Sequence, residues 1–166
     1  MKKMLTSLCA IMMIAPTAVA AQAPEQPAAT TIAPTATAQG VVRVRSLYGI
    51  DETVRRIKAD IADKGIRFFT EIDQSQLGAG ADIAIRPSRL ILFGNPPLGV
   101  QFLSSNPYSG LDWPVRMLIL EEADGSVSVA WTEFGYIANR YGIKDRDAQF
   151  AMANAVATSI ASSVTR

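Results

Sequence analysis

Five polar side chains have the types and spacing to do chemistry: Asp73, Arg86, Asn95, Asp112 and Arg116. Each is expected at or beside the end of a strand, where a rigid core can aim polar groups at a cleft without disturbing packing. Convergence on one edge of a sheet would make a ligand-binding site. If Asp112 and Arg116 pair there, the carboxylate stays ionised, and the guanidiniums of Arg86 and Arg116 could still receive a carboxylate or phosphate in fork geometry. The same residues also have a structural reading: Asp112 caps backbone amides in its turn, Arg116 pairs with it, and Asn95 occupies a left-handed turn. A third reading makes Asp73 and Asp112 the acid and base of a hydrolase or lyase, which needs two environments that push their pKa values apart.

Composition narrows the chemistry further. Lys2 and Lys3 precede an apolar run from Met4 to Ala15 and then Ala18-Val19-Ala20, the pattern of a signal peptide over residues 1–20 cleaved after Ala20. A periplasmic or secreted location is therefore expected. The run is shorter than the roughly 20 residues a spanning helix needs, and no later run is long and apolar enough, so no integral membrane segment is expected after cleavage. Cys9 does not read as a lipidation site, because Leu8 places a bulky side chain directly before it. Cleavage would take 20 of the 166 residues, the sole cysteine and two lysines, leaving 146 residues with 14 basic and 15 acidic side chains and no histidine. Without imidazole or thiolate there is no serine–histidine pair, no cysteine nucleophile, no histidine or cysteine zinc site and no such haem or iron–sulfur ligation. Hence no cofactor and no metal are expected, and no disulfide can form. The balanced charge gives no footprint for nucleic acid.

Residues 21–40 are almost entirely Ala, Pro, Thr and Gln, with too little apolar surface to offset the entropy of ordering, and read as a disordered linker. Residues 41–166 have the length of a single domain. Val42 to Leu47 alternates as a half-buried strand. Asp51 is the expected cap of a helix striped by Val54, Ile57 and Ile61 and closed at Gly65, with Glu52 and Arg56 spaced for an ion pair. Ile66 to Ile72 alternates again, with Ile66, Phe68, Thr70 and Ile72 on one face. Phe69 on the opposite face is either a lone exposed aromatic or the cover of a pocket or subunit contact. Asp73 to Ala81 reads as a turn or irregular helix, and strands are expected over Asp82–Arg86 and Leu90–Phe93. A short helix over Pro97–Ser105 follows, then a turn at 106–110 and a hairpin of Met117–Glu122 and Ser126–Trp131 joined through Asp124-Gly125. Thr132 and Asp145 are the expected caps of two final helices, the last striped by Met152, Val156 and Ile160, while Trp131 and Phe134 read as core. Strand hairpins with separate helices define an α+β architecture, β-α-β-β-β-β-α-like, whose two layers are a mostly antiparallel sheet and helices packed on one face.

Across most of Tyr48–Gly142 the chain resembles the family catalogued as domain of unknown function 302. The resemblance is carried by Glu52-Thr53-Val54, Phe68 to Asp73, Arg86-Pro87, Leu92-Phe93-Gly94-Asn95-Pro96, Gly99, Pro107, Gly110-Leu111-Asp112, Pro114-Val115-Arg116 and the hairpin after them. It implies a two-layer α+β module with a topology like that of TATA-box-binding proteins, and a homodimer. It implies no activity. Gln74 stands where many relatives carry His after the aspartate matching Asp73, so a role for that His does not transfer here.

The function expected from these readings is an exported module that binds a small ligand or a protein partner, with an anionic ligand near the turns of Asn95, Asp112 and Arg116. The alternatives are the carboxylate-dependent enzyme and a structural envelope protein that binds another protein.

Overall fold

The computed structural model describes Pro34 and residues 36–166. The expected signal peptide and most of the expected linker lie outside those residues. The end of that linker is part of the fold: Ala36 packs against the core, and Gly40, at φ +73°, accepts a hydrogen bond from the Glu133 amide at 2.7 Å. Gly40 is required by space as well as by φ, because a Cβ there would meet the Tyr136 ring at 2.2 Å.

Five strands form one antiparallel sheet in the order β1-β5-β4-β3-β2: β1 Val41–Arg45, β2 Arg67–Asp73, β3 Ser88–Gly94, β4 Val115–Glu121 and β5 Val127–Thr132. Helices α1 Ile50–Asp63, α2 Gln74–Gly80, α3 Pro96–Ser105, α4 Phe134–Tyr141 and α5 Asp147–Ser162 complete the α+β fold, with a 3-10 turn at Pro107–Asp112. Period-two alternation decides the faces. Val42, Ile91, Phe93, Met117, Ile119, Val127, Val129 and Trp131 point into the core, where Ile57 and Ile61 of α1, Phe102 of α3, Phe134 of α4 and Phe150 and Ile160 of α5 meet them. Phe102 stacks on Phe150 at 4.2 Å between ring centroids. The opposite sheet face carries Ile72, Leu90, Leu92, Leu118, Leu120 and Ala130, aligned across β2, β3, β4 and β5 by the strand register.

Several expected details shift for identifiable reasons. No strand forms over Asp82–Arg86; Asp82 is left-handed at φ 57°, and β3 begins only after Pro87, which has no N–H to donate to a ladder. In β2 the register slips between Phe68 and Thr70, so Phe69 is the extra residue of a bulge and the expected alternation of faces breaks there. Gly49, not Asp51, caps α1, and Asp51 lies in the first turn, where its charge suits the helix dipole. Glu52 takes Arg55 as well as Arg56, and the two guanidiniums hold its carboxyl down to about 2. On α5 the expected stripe holds at Ile160, which is buried, and at Val156, which packs against the core, but Met152 is exposed and Phe150, Ala153 and Ala157 complete the buried face. The residue preceding α5 is Arg146 rather than Asp145.

Glu133, rather than Thr132, caps α4. Its carboxylate accepts from the Tyr136 amide and from Asn154 Nδ2, both at 2.5 Å, while Asn154 Oδ1 accepts from the Phe134 amide at 2.9 Å. Burial works to raise this carboxyl, but the Gly135 amide, Asn154 and the Tyr136 amide outweigh it and hold it below its ordinary 4.5. A carboxyl lowered in the folded state contributes stability that is complete above about pH 4.5 and is lost as pH falls through the folded value. Glu133→Gln should therefore cost about 1 kcal/mol at neutral pH. In urea unfolding the gap between the variant and the wild type should narrow as pH is lowered toward 3, and a gap that is constant or widening in acid would refute this account.

Candidate functional site

The five expected site residues do not meet. Arg86 donates from Nε to the Glu121 carbonyl at 3.0 Å, at the far end of β4 from Arg116. Glu121 lies five positions beyond Arg116 on the strand, about 17 Å along the chain, so the two guanidiniums cannot grip one ligand. Asp73 lies at the Arg86 end. It caps α2 through the Gln76 amide at 3.0 Å, takes the Ser75 hydroxyl at 2.5 Å and pairs with Arg89 at 2.6 Å. The Ser75 hydroxyl first, then the Gln76 amide and Arg89, hold its carboxyl below the ordinary value against some desolvation. Because Asp112 lies at the opposite end of the sheet, Asp73 and Asp112 cannot flank one scissile bond. Asn95, Asp112 and Arg116 do share an end, but in two separate groups.

The first group centres on Asp112, a buried carboxylate at the close of the 3-10 turn. Arg116 Nη2 donates to Oδ1, and Oδ2 accepts from Arg140 Nη1 at 3.1 Å and from the Tyr141 hydroxyl at 2.6 Å. The bond to Asp112, with burial and the carboxylate's charge behind it, raises the Tyr141 phenol above its usual pKa, so that it remains a donor. One carboxylate thus ties the turn before β4 to the end of α4. Arg140 and Tyr141, neither of them expected from the sequence, complete the cluster. Each guanidinium is about half exposed and spends one nitrogen on Asp112.

The second group surrounds a cavity of about 210 Å³ between α3, α5 and the Gly94 end of the sheet. Leu98, Phe102, Ala153 and Val156 line its helical sides, Phe93 and Val115 its sheet side, and Trp113 closes one wall, while Lys64 and Asn95 carry the polar groups of the lining. The indole lies flat against backbone. A Cβ on Gly99 would sit 1.9 Å from Trp113 Nε1, and one on Gly94 would sit 3.2 Å from it. Phe69, the bulged residue of β2, packs edge-on to Trp113 at 5.8 Å and carries Arg67 over its own ring at 5.2 Å. Phe69 stays partly exposed and at the same time packs against the wall residue Trp113. Asn95 has an extended backbone, φ −101°, not a left-handed one, and its side chain makes no capping bond to α3.

Of the cavity residues, sequence reasoning singled out Asn95 and raised Phe69 as a cover. Gly99 was the available signal for the rest: a glycine inside a short helix weakens it, so its presence marks a neighbour that needs the room. No spacing rule points from Gly99 to Trp113 or Lys64.

Replacing Asp112 with Ala leaves two arginines and a phenol without their acceptor and should lower stability by about 2 kcal/mol, discounted for the exposure of the arginines. Arg116→Ala removes one partly solvated partner of three and should cost about 1 kcal/mol or less. Urea unfolding of both variants checks the order, and equal losses would refute Asp112 as the centre of the cluster.

Among known proteins, residues 42–161 match the description "Domain of unknown function DUF302". A crystal structure of an uncharacterized conserved DUF302 protein from Bacillus stearothermophilus superposes with a TM-score of 0.70 over 76% of this chain and 99% of that one, at 13% identity, and so shares the fold. Over 104 residues, 63% of this chain, the sequence is 31% identical to a protein named fluoride-specific ion channel FluC 1 from Brucella suis, and equally to FluC 1 of Brucella abortus. The chain spans only 41% and 38% of those two proteins. The family match covers most of the chain, and a solved structure of the same family shares its fold: this protein belongs to the DUF302 family.

Proposed function

We propose that this protein is an exported binding module that holds a small, mostly apolar molecule in the cavity behind Trp113. One observation carries the reading. The indole is fitted against two glycines, and a hollow remains beside it where the walls offer aliphatic and aromatic surface. Protein interiors are ordinarily filled, so an apolar hollow with a polar rim is the default place for a ligand. Asp112 holds the turn that carries Trp113, which gives the ionic cluster a positioning role and replaces the fork-like anion site first expected at Arg86 and Arg116. Export rests on the pattern of residues 2–20, and periplasmic delivery is the location this reading uses.

The homodimer belongs to the same proposal. Leu90, Leu92, Leu118 and Leu120 lie on the sheet face away from the core, and none belongs to the core or to the residues packed against it. Five strands about 4.8 Å apart and some six residues long give a face on the order of 500 Å² before side-chain relief. That approaches the roughly 800 Å² per partner of a standard interface, and a second copy of the same leucine face can cover it about a two-fold axis. A second reading, attachment of this face to a membrane-bound partner, draws on the similarity to part of proteins named fluoride-specific ion channels. Among the described residues no helix is long and apolar enough to cross a membrane, so fluoride conduction is not carried over.

Two measurements check these readings. The neutral fluorophore N-phenyl-1-naphthylamine should brighten on binding the wild type and lose at least about tenfold in affinity when Val156→Phe fills the cavity. Equal brightening by a folded Val156→Phe variant would refute the cavity as the site. Sedimentation at micromolar concentration should show a dimer that Leu118→Glu converts to a monomer, and a wild-type monomer would overturn the dimer and leave the face to a different protein.

A further inference from the structure

We infer that the cavity takes a single-chain amphiphile with a carboxylate head, the chain lying between α3 and α5 and the head at the rim formed by Lys64, Asn95 and Trp113. This rests on the cavity reading above and names the ligand class for it.

Three observations carry the assignment. The walls contributed by Leu98, Phe102, Ala153 and Val156 offer no hydrogen-bonding side chain, so the buried part of an occupant must be hydrocarbon. The polar side chains of the lining stand toward solvent, Lys64 and Asn95 exposed and Trp113 half-buried, and they offer the Lys64 ammonium, the Asn95 amide and the indole N–H as donors, the last two with no side-chain hydrogen bond to another described residue. Donors of this kind require acceptor oxygens on the ligand and reject a cationic head.

The size of the head charge follows from what surrounds the rim. Lys64 is already held by Asp60 at 2.5 Å, so the net positive charge there is small. Helix α3 begins Pro96-Pro97, and its first two positions have no N–H to add as anion ligands. With one shared cation and no helix-terminal amides, the rim is matched to a carboxylate rather than to a phosphate dianion or a polyphosphate. The flat Trp113 wall, supported behind by Phe69, offers a rigid surface for the first carbons of the chain.

The experiment is displacement of N-phenyl-1-naphthylamine from the full-length mature protein by decanoate, decanol and a decanoyl lysophosphatidylcholine, each below its micellar concentration. Decanoate should compete at concentrations about tenfold lower than decanol, as expected for a charge-assisted hydrogen bond in place of a neutral one. Lys64→Met should erase that advantage, read as the ratio of decanoate to decanol on the variant itself so that any change in its fluorophore affinity cancels; the Lys64–Asp60 pair is at the surface, and circular dichroism should show the variant folded. Equal competition by decanoate and decanol, or stronger competition by the lysophospholipid, overturns the carboxylate assignment and leaves the cavity standing. Failure of the fluorophore to distinguish wild type from Val156→Phe overturns both.

Discussion

A buried carboxylate has to be compensated, and around Asp112 that requirement organises one end of the molecule. The residue closes the 3-10 turn, lies next to Trp113 and stands three positions before β4. An uncompensated charge there would be strongly destabilising, so the chain brings Arg116 from β4 and Arg140 and Tyr141 from α4 to meet it. The turn and β4, neighbours in sequence, are thereby tied to α4, 28 positions further on. Removal of the centre leaves three donors unsatisfied, whereas removal of one arginine leaves a carboxylate with two partners.

The cavity is a consequence of that anchoring together with a steric constraint. Trp113 leaves Asp112 in an extended conformation, and its indole lies over Gly94 at the end of β3 and Gly99 in the second turn of α3. Neither position tolerates a side chain against the ring. A large flat group that takes its room from two glycines leaves the aliphatic side chains of α3 and α5 apart, and the gap between them is the hollow. The bulge at Phe69 belongs to the same arrangement, since the extra residue turns an aromatic ring toward the edge of the indole. The bulge also distorts an edge strand, which is the common defence of an open sheet against pairing with other chains.

The sheet has two unlike faces. One is filled by α1, α3, α4 and α5, with Ile57, Ile61, Phe93, Met117 and Ile160 fully enclosed. The other displays leucines in register on β3 and β4, with Arg43 and Arg45 on β1 beside Ala130 and Ser128 of β5. An apolar centre with cations along one side is the arrangement on which the proposed homodimer rests.

The sequence by itself determined the elements whose cause is local: the striped α1, the Asp124-Gly125 hairpin with Gly125 at φ 77°, the closure of α4 at Gly142, the unbroken apolar run of β3 and the placement of Trp131 and Phe134 in the core. Periodicity and turn chemistry act over a few residues and can be read from them. It also determined that residues 21–166 carry no imidazole and no thiol. Only the tertiary structure decided which strand ends share a side of the sheet. That sent Arg86 and Asp73 to one end and Asn95, Asp112 and Arg116 to the other, because strand register and direction, not spacing in the chain, set those distances. The Arg116 partner of Asp112, four residues away, was legible, whereas the bulge at Phe69, the exposure of Met152 on α5 and the Arg140 and Tyr141 partners of Asp112 were invisible in one dimension. Each depends on side chains from distant segments competing for the same space or the same charge, and that competition exists only once the chain has folded.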